Sequence, residues 1–278
     1  MKYLIVNADD LGLTDAINAG IFRAIDAGVV SDVSLLAVGE SYDDAIEGLR
    51  RRKIDNVGLH FCAVDGEKAI SSAISIQSIC DAAGRFFEHR NRLFLQVVFD
   101  RKMTLQAINL ELNAQIGKIR DSHLTISHLD SHQHIHLLPG IARLFVQACY
   151  QNKIPYLRVP DTLPYSPIKF VVACLAARLR TTAVRRNVNY ISFAGFGLGS
   201  HFSADSLKRE IRRAMKSVYT ELIVHPGTED PYTRSKYAHW HYQWDRNLTT
   251  LLGAGSYLAE QGCRIVSYHE LAELKANG

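Results

Sequence analysis

Short β-branched and aromatic runs recur along the chain, and each is followed by a stretch in which apolar residues return every third or fourth position. Runs at 3–7, 32–38, 57–64, 124–130, 156–159, 190–193, 221–225 and 264–268 predict eight strands. Between the first two, Ile17, Ile21 and Ile25 stand at i+4 spacing, with Thr14 as an N-cap before them and Gly28 as a stop behind them. Leu105, Ile108, Leu112, Ile116 and Ile119 repeat the pattern, as does 141–150, and both predict core-facing helices. Strands alternating with helices imply βαβ units and a parallel sheet, either closed into a barrel or open and covered on both faces. The segments 70–87 and 228–240 lack a clear period and read as long loop insertions.

No repeat, low-complexity tract or Pro/Gly linker divides the 278 residues, a length that one α/β barrel fills, so 1–278 reads as a single domain. Apolar residues at 47% and charged residues at 22% place the chain among soluble globular proteins. A net charge of +4, with basic residues scattered outside 50–53 and 178–186, argues against nucleic acid as a partner. Cys62, Cys80, Cys149, Cys174 and Cys263 are odd in number, far apart and without a C-x-x-C pair. Neither a disulfide framework nor a zinc knuckle is expected, and a reducing compartment fits. The N-terminus shows no signal-peptide pattern, and the longest uncharged apolar run, 170–177, is far short of the roughly 20 residues that span a bilayer. The expected location is therefore cytoplasmic. The segment 168–180, extended by Arg185 and Arg186, reads as a barrel helix with an exposed basic end, or alternatively as a helix lying on a membrane surface.

In parallel α/β folds the functional side chains gather at the carboxyl ends of the strands. Asp9 and Asp10 end the first run, His60 ends Val57-Gly58-Leu59-His60, Asp130 to His136 follow the fourth, and His225-Pro226-Gly227 ends the seventh. Adjacent carboxylates repel unless a positive group lies beside them, and a divalent cation is the usual answer. One carboxylate then ligates the ion, and the other takes a proton from bound water. Each motif alone has a plainer reading: Asp9-Asp10 as a turn or cap near Gly12 and Thr14, His60 as a core histidine, His225-Pro226 as a turn. His128, His132, His134 and His136 crowd nine residues, and on a strand the last three would share one face. They cannot all serve one ion. The glycine-rich stretch 195–199 lacks the spacing of a phosphate loop, and there is no G-x-S-x-G elbow.

In order along the chain, NADDLG (7–12), GLHF (58–61), HLDSHQHIH (128–136) and VHPG (224–227) resemble the motifs of the YdjC-like carbohydrate deacetylases, the family of chitooligosaccharide and hopanoid-associated deacetylases. The resemblance implies an α/β fold, a distorted (β/α) barrel of seven or eight parallel strands that is polysaccharide-deacetylase-like. It implies one divalent metal ion on Asp10, His60 and His132, with Asp9 as general base and His225 as general acid. Arg158-Val159-Pro160 is similar to the R-x-P element of the wider superfamily, whose arginine orients the catalytic aspartate; the plainer reading is a surface arginine. The implied reaction is hydrolysis of the N-acetyl group of an amino sugar to acetate and the free amine. Such ligands suit zinc, cobalt, manganese or magnesium alike. Tyr232, Tyr237, Trp240, Tyr242 and Trp244 offer faces for a sugar, and Trp240, His134 and His136 are the expected substrate contacts. A metal-dependent phosphoesterase or amidohydrolase and a non-catalytic carbohydrate-binding barrel are the alternatives. A lipid-linked substrate, contact with the inner face of a membrane and a homodimer stay open.

Overall fold

The computed structural model describes residues 2–161, 166–196, 198–199 and 202–276, so Gly197 of the glycine-rich stretch lies outside the described residues. Every apolar run contains a strand: β1 (Lys2–Leu11), β2 (Asp32–Leu35), β3 (Asn56–Phe61), β4 (Thr125–Ser131), β5 (Tyr156–Pro160), β6 (Asn189–Ala194), β7 (Tyr219–Val224) and β8 (Cys263–Ile265). All pair in parallel. The order β2-β3-β4-β5-β6-β7-β1 returns from β1 to β2 and closes a ring of seven strands.

β1 makes this closure because it is long. One edge pairs with β7 from Tyr3 to Ala8, while the other is shared, first with β8 along Lys2–Leu4 and then with β2 from Asn7 to Leu11. Ser31 joins the two partners of that edge, its hydroxyl donating to the Val266 carbonyl at 2.7 Å and its amide to that of Val6 at 2.9 Å. The eighth strand thus lies against the base of a seven-strand barrel.

Helices α1 (Asp15–Asp26), α2 (Tyr42–Arg51), α3 (Arg90–Phe99), α4 (Arg101–Asp121), α5 (Ile141–Asn152), α6 (Pro167–Arg185) and α7 (Ala204–Ala214) surround the barrel, followed by α8 (Pro231–Lys236), α9 (Trp244–Leu252), α10 (Gly255–Glu260) and α11 (Tyr268–Ala276). Thr14 caps α1 by accepting the Ile17 amide, and Gly28 follows at φ +71°, as the sequence signals required. α4 buries Ile108, Leu112, Ile116 and Ile119. α6 buries Ala176, Leu179 and Ala183 but leaves Ile168, Phe170, Val171 and Val184 exposed. Among the described residues no helix is long and apolar enough to cross a membrane.

Several sequence expectations need correction: β2 and β3 stop at Leu35 and Phe61, short of 38 and 64, and a 3-10 turn at Ala73–Ile76 interrupts the 70–87 insertion. The 228–240 insertion is not merely loop, because Asp230 caps α8 and a 3-10 turn follows at Ala238–Trp240. The last strand stops at Ile265, and Tyr268 opens α11 because Asp32 Oδ2 accepts its backbone amide at 2.8 Å.

Close backbone approach seats the loop after β7. A Cβ on Gly20 of α1 would stand 2.3 Å from the Cα of Gly227, and the Thr228 amide donates to Ala16 O at 3.0 Å. Neither backbone has a side chain to rotate away, so Gly20→Ala is expected to destabilise the protein by about 1–3 kcal/mol through overpacking. Thermal unfolding of the variant checks this, and an unchanged midpoint would mean that the helix and loop separate without cost.

Candidate metal and catalytic centre

On a regular strand Asp9 and Asp10 would face opposite sides. Here the pairing of β1 with β2 shifts register between Ala8 and Leu11, and Asp10 adopts φ +69°, so both carboxylates reach the same end of the lumen. Asp10 Oδ1 lies 2.9 Å from His132 Nδ1 and 3.3 Å from His60 Nε2, and the two imidazole nitrogens are 3.4 Å apart. All three residues are buried, and three donor atoms from β1, β3 and the turn after β4 meet at one point.

The expected alternation of the histidines does not occur. Gln133 and His134 take φ of 52° and 55°, which turns the chain out of β4 into a 3-10 segment and sends the rings apart. His132 points to the cluster, and His134 packs against both Phe193 and Phe196, lining the cavity with the latter. His136 is fully buried, with Nδ1 2.6 Å from Ser131 Oγ, and it does not line the cavity. The substrate contact expected of His136 is therefore not made, because the turn folds its ring beneath the site. His128 is likewise interior, 4.0 Å from the Tyr268 ring, and a Cβ on Gly58 would collide with it at 2.2 Å.

Arg158 is not a surface arginine: its exposure is 0%. Nη1 and Nη2 donate to Asp9 Oδ2 and Oδ1 at 2.7 and 2.8 Å, while Nε and Nη2 donate to Glu221 at 3.0 and 2.5 Å. Nη1 also stands 2.7 Å from Asp130 Oδ2. β5 is adjacent to neither β1 nor β7, so these bonds cross the lumen. Asn7 Nδ2 donates to Asp9 Oδ1 at 2.8 Å, and Ser34 Oγ donates to Asp130 Oδ2 at 2.7 Å. His225 Nε2 lies 4.0 Å from Asp9 Oδ2.

Several contributors carried no assigned role in the sequence. Asp130 accepts from His60 Nδ1 at 2.6 Å, and its position two residues before His132 was the available signal. Asp65 Oδ2 stands 3.0 Å from His132 Nε2. Its Asp-Gly step, a turn signal at the end of a strand run, was the only sign. Asn7, Ser34 and Glu221 looked like ordinary polar strand positions.

The cluster opens into a cavity of about 500 Å³ whose walls include Trp240, Tyr242, Phe196, His134 and Gln133. Of the other aromatics, Tyr237 and Trp244 are buried in the core and Tyr232 is exposed, donating to Glu40 at 2.5 Å.

Burial would raise the Asp10 carboxyl, but His132 and His60 outweigh it and hold it well below the usual range. Asp130 is also held well below it: burial acts upward, and Arg158 and His60 prevail. Burial would lower His60, yet Asp130, Asp9 and Asp10 raise it to about 10. In the same way Asp10 and Asp65 raise His132 to about 9 against its burial. His225 is lowered by burial, which Asp10 and Asp9 only partly offset. Burial drives His134 well down and His136 to about 3.

The donor set fits a divalent ion. Asp10 Oδ2 and His132 Nε2 are buried without a hydrogen-bond partner, and each imidazole turns one nitrogen to the cluster; His60 hydrogen-bonds Asp130 with the other, the usual setting of metal-bound histidine, and Asp65 Oδ2 stands 3.0 Å from His132 Nε2. A second grouping, Asp9, His60 and Asp130, already holds its cation, since Arg158 Nη1 lies 2.7 Å from both carboxylates.

The family described as YdjC-like protein matches residues 3–255. The chain is 28% identical over 243 residues to a carbohydrate deacetylase of Mus musculus, spanning 81% of this chain and 77% of that one. It is 25% identical over 273 residues to a carbohydrate deacetylase of Brevibacillus brevis (96% and 99% covered) and 26% over 277 residues to one of Geobacillus stearothermophilus (98% and 99%). A solved structure described as a cellobiose-phosphate cleavage protein of Enterococcus faecalis shares the fold, with a TM-score of 0.79 over 97% of this chain and 98% of that one at 22% identity. The match runs from β1 past His225 and covers every residue of the buried cluster, and the chain belongs to the YdjC-like family.

Proposed function

We propose that residues 1–278 act as one unit, a metal-dependent carbohydrate N-deacetylase that hydrolyses the N-acetyl group of an amino sugar to acetate and the free amine. The observation that carries this reading is the meeting of Asp10, His60 and His132 beside a second, separately held carboxylate, Asp9, at the floor of an aromatic-walled cavity. The names of its relatives supply the substrate class.

A divalent ion on Asp10, His60 and His132, whether zinc, cobalt, manganese or magnesium, supplies Lewis acidity that acidifies water and polarises an amide carbonyl. Arg158 fixes Asp9 by a two-pronged bond, leaving it oriented to take the proton of the attacking water. His225, whose imidazole burial pushes below its ordinary value, lies 4.0 Å from Asp9 Oδ2. It is placed to accept that proton and donate it to the departing nitrogen, so the proton lost by water ends on the amine. Trp240 and His134 offer flat faces to the sugar.

Acetate release from a panel of soluble and lipid-linked N-acetylhexosamines is expected to vanish on chelation and return with a divalent ion. No acetate with any of the four ions, or phosphate released in its place, would sink the deacetylase reading. Asp9→Asn is expected to lower kcat by about 10²–10⁴-fold with metal content unchanged, whereas His132→Ala loses the ion. Metal loss in Asp9→Asn would reverse those roles.

His60 and His132 lie at about 10 and 9 without an ion, so both carry protons at neutral pH that a metal must displace. Metal affinity is therefore expected to rise with pH up to that range, with proton release seen by calorimetry as a buffer-dependent binding enthalpy. An enthalpy independent of buffer at pH 7 would refute it. In the metal-free protein these raised values add stability that is full below the ordinary imidazole value and is lost as pH rises through about 9 and 10.

A further inference from the structure

Asp65 follows β3 at φ +61° and precedes Gly66 at φ +70°, a turn that swings its carboxylate back over the carboxyl end of the barrel. A left-handed conformation off glycine costs roughly 1–2 kcal/mol and persists where the surroundings over-determine it. The surroundings do so here. Oδ2 accepts from Gln133 Nε2 at 2.5 Å and stands 3.0 Å from His132 Nε2. Oδ1 accepts from Trp240 Nε1 at 3.4 Å and lies 3.3 Å from His239 Nε2. One carboxylate thereby meets the turn after β4 and the insertion after β7, and the Trp240 ring itself packs 4.8 Å from His132.

The comparison with His60 shows what this contact does. Each imidazole gives one nitrogen to the cluster and has a carboxylate beside the other: Asp130 is hydrogen-bonded to His60 Nδ1, and Asp65 stands 3.0 Å from His132 Nε2, a nitrogen that is buried without a hydrogen bond. Asp130 is bound inside the barrel by Arg158 and Ser34, whereas Asp65 lies on a loop and is bound to the cavity wall. The outer partner of one ligand is thus fixed by the barrel, and that of the other by the residues that would meet the sugar.

We infer that Asp65 is a positioning residue that orients His132 toward the metal through Nε2 and, by the same carboxylate, ties the Trp240 wall to the metal centre. This rests on the metal-dependent reading above. A side chain that only supported the loop would alter stability without altering the ion's surroundings. Asp65 instead sets how firmly the ion is held and, through Trp240, how the sugar is met.

The test uses the full chain and cobalt(II) alone as probe, read by its visible absorption and by titration. Asp65→Ala is expected to weaken cobalt binding by about 10–100-fold and to change the absorption bands, as loss of an outer-shell carboxylate does. Asp65→Asn keeps the size and an acceptor oxygen but not the charge, so a smaller loss is expected; if Asp65→Ala does not fold, Asp65→Asn decides alone. In Asp65→Asn, KM for an N-acetylhexosamine is expected to rise together with the weaker metal binding. Folded variants that bind cobalt with unaltered affinity and spectrum overturn the inference alone. Failure of the unsubstituted chain to bind cobalt, manganese, magnesium or zinc overturns it together with the metal-dependent reading.

Discussion

Inside the ring of strands one guanidinium, that of Arg158, faces the carboxylates of Asp9, Asp130 and Glu221, and all four groups are buried. Ions stripped of water cost several kcal/mol each unless their partners are close and well aligned. Arginine meets this demand with a planar fork that serves Asp9 and Glu221 in pairs, which the point charge of a lysine could not do. Even so, one cation does not balance three carboxylates, with Asp10 and Asp65 beyond them. Glu221 shows the deficit: burial pushes it up, Arg158 restrains it, and Tyr268 donates to it at 2.7 Å. His60 and His132 show it again, drawn up to about 10 and 9. The lumen carries an excess of carboxylates that reaches the point where the three donor atoms meet, so a divalent cation that displaced the two imidazole protons would answer the same electrostatics.

The strands were legible because a buried parallel strand needs a β-branched run whatever its lumen contains, and 3–7 or 156–159 announce it plainly. Asp9, Asp10, His60 and His132 stood out as residue types at strand ends, and the structure brings them together in one buried cluster. What the pattern hid is backbone geometry and the inside of the barrel. Asp9 and Asp10 share a site only through a bulge, and the histidine run scatters because two of its residues take positive φ. A hydrophobic period marks the inner face by its apolar residues, but here Asn7, Ser34, His128, Arg158 and Glu221 point inward, so the rule that locates the core labels them as surface. Asp65 stood in a loop, where no period exists to read.

The cavity wall and the buried cluster are built on different parts of the fold. Trp240 and Tyr242 belong to the segment between β7 and α9, and Asp65 to the one between β3 and α3; these are the two insertions with their flanking turns. The two insertions are fastened to each other, with Tyr237 donating to Glu67 at 2.7 Å and Lys236 bridging Glu67 and Glu40 at 3.1 and 2.7 Å. Asp9, Asp10, Arg158 and His60 sit on strands. Loops of this kind tolerate change that a strand cannot, so the cavity wall can vary while the strand-borne cluster stays fixed.

The shared edge of β1 carries a further consequence, for the order in which the chain assembles. Tyr3 pairs with Tyr219 and Lys2 with Cys263, so the strand that bears both carboxylates finds most of its neighbours only after the rest of the barrel has been synthesised. Until then the edge of β1 that meets β7 stays open and Asp9 and Asp10 lack the cover of the closed barrel, and contacts this distant in sequence form slowly because of the loop entropy they must overcome. Tyr268, which covers the network beneath Glu221, belongs to the helix after β8. The strand that precedes the rest of the barrel in sequence therefore acquires its low-dielectric surroundings last, and its acidic pair stays open to solvent until the floor is in place.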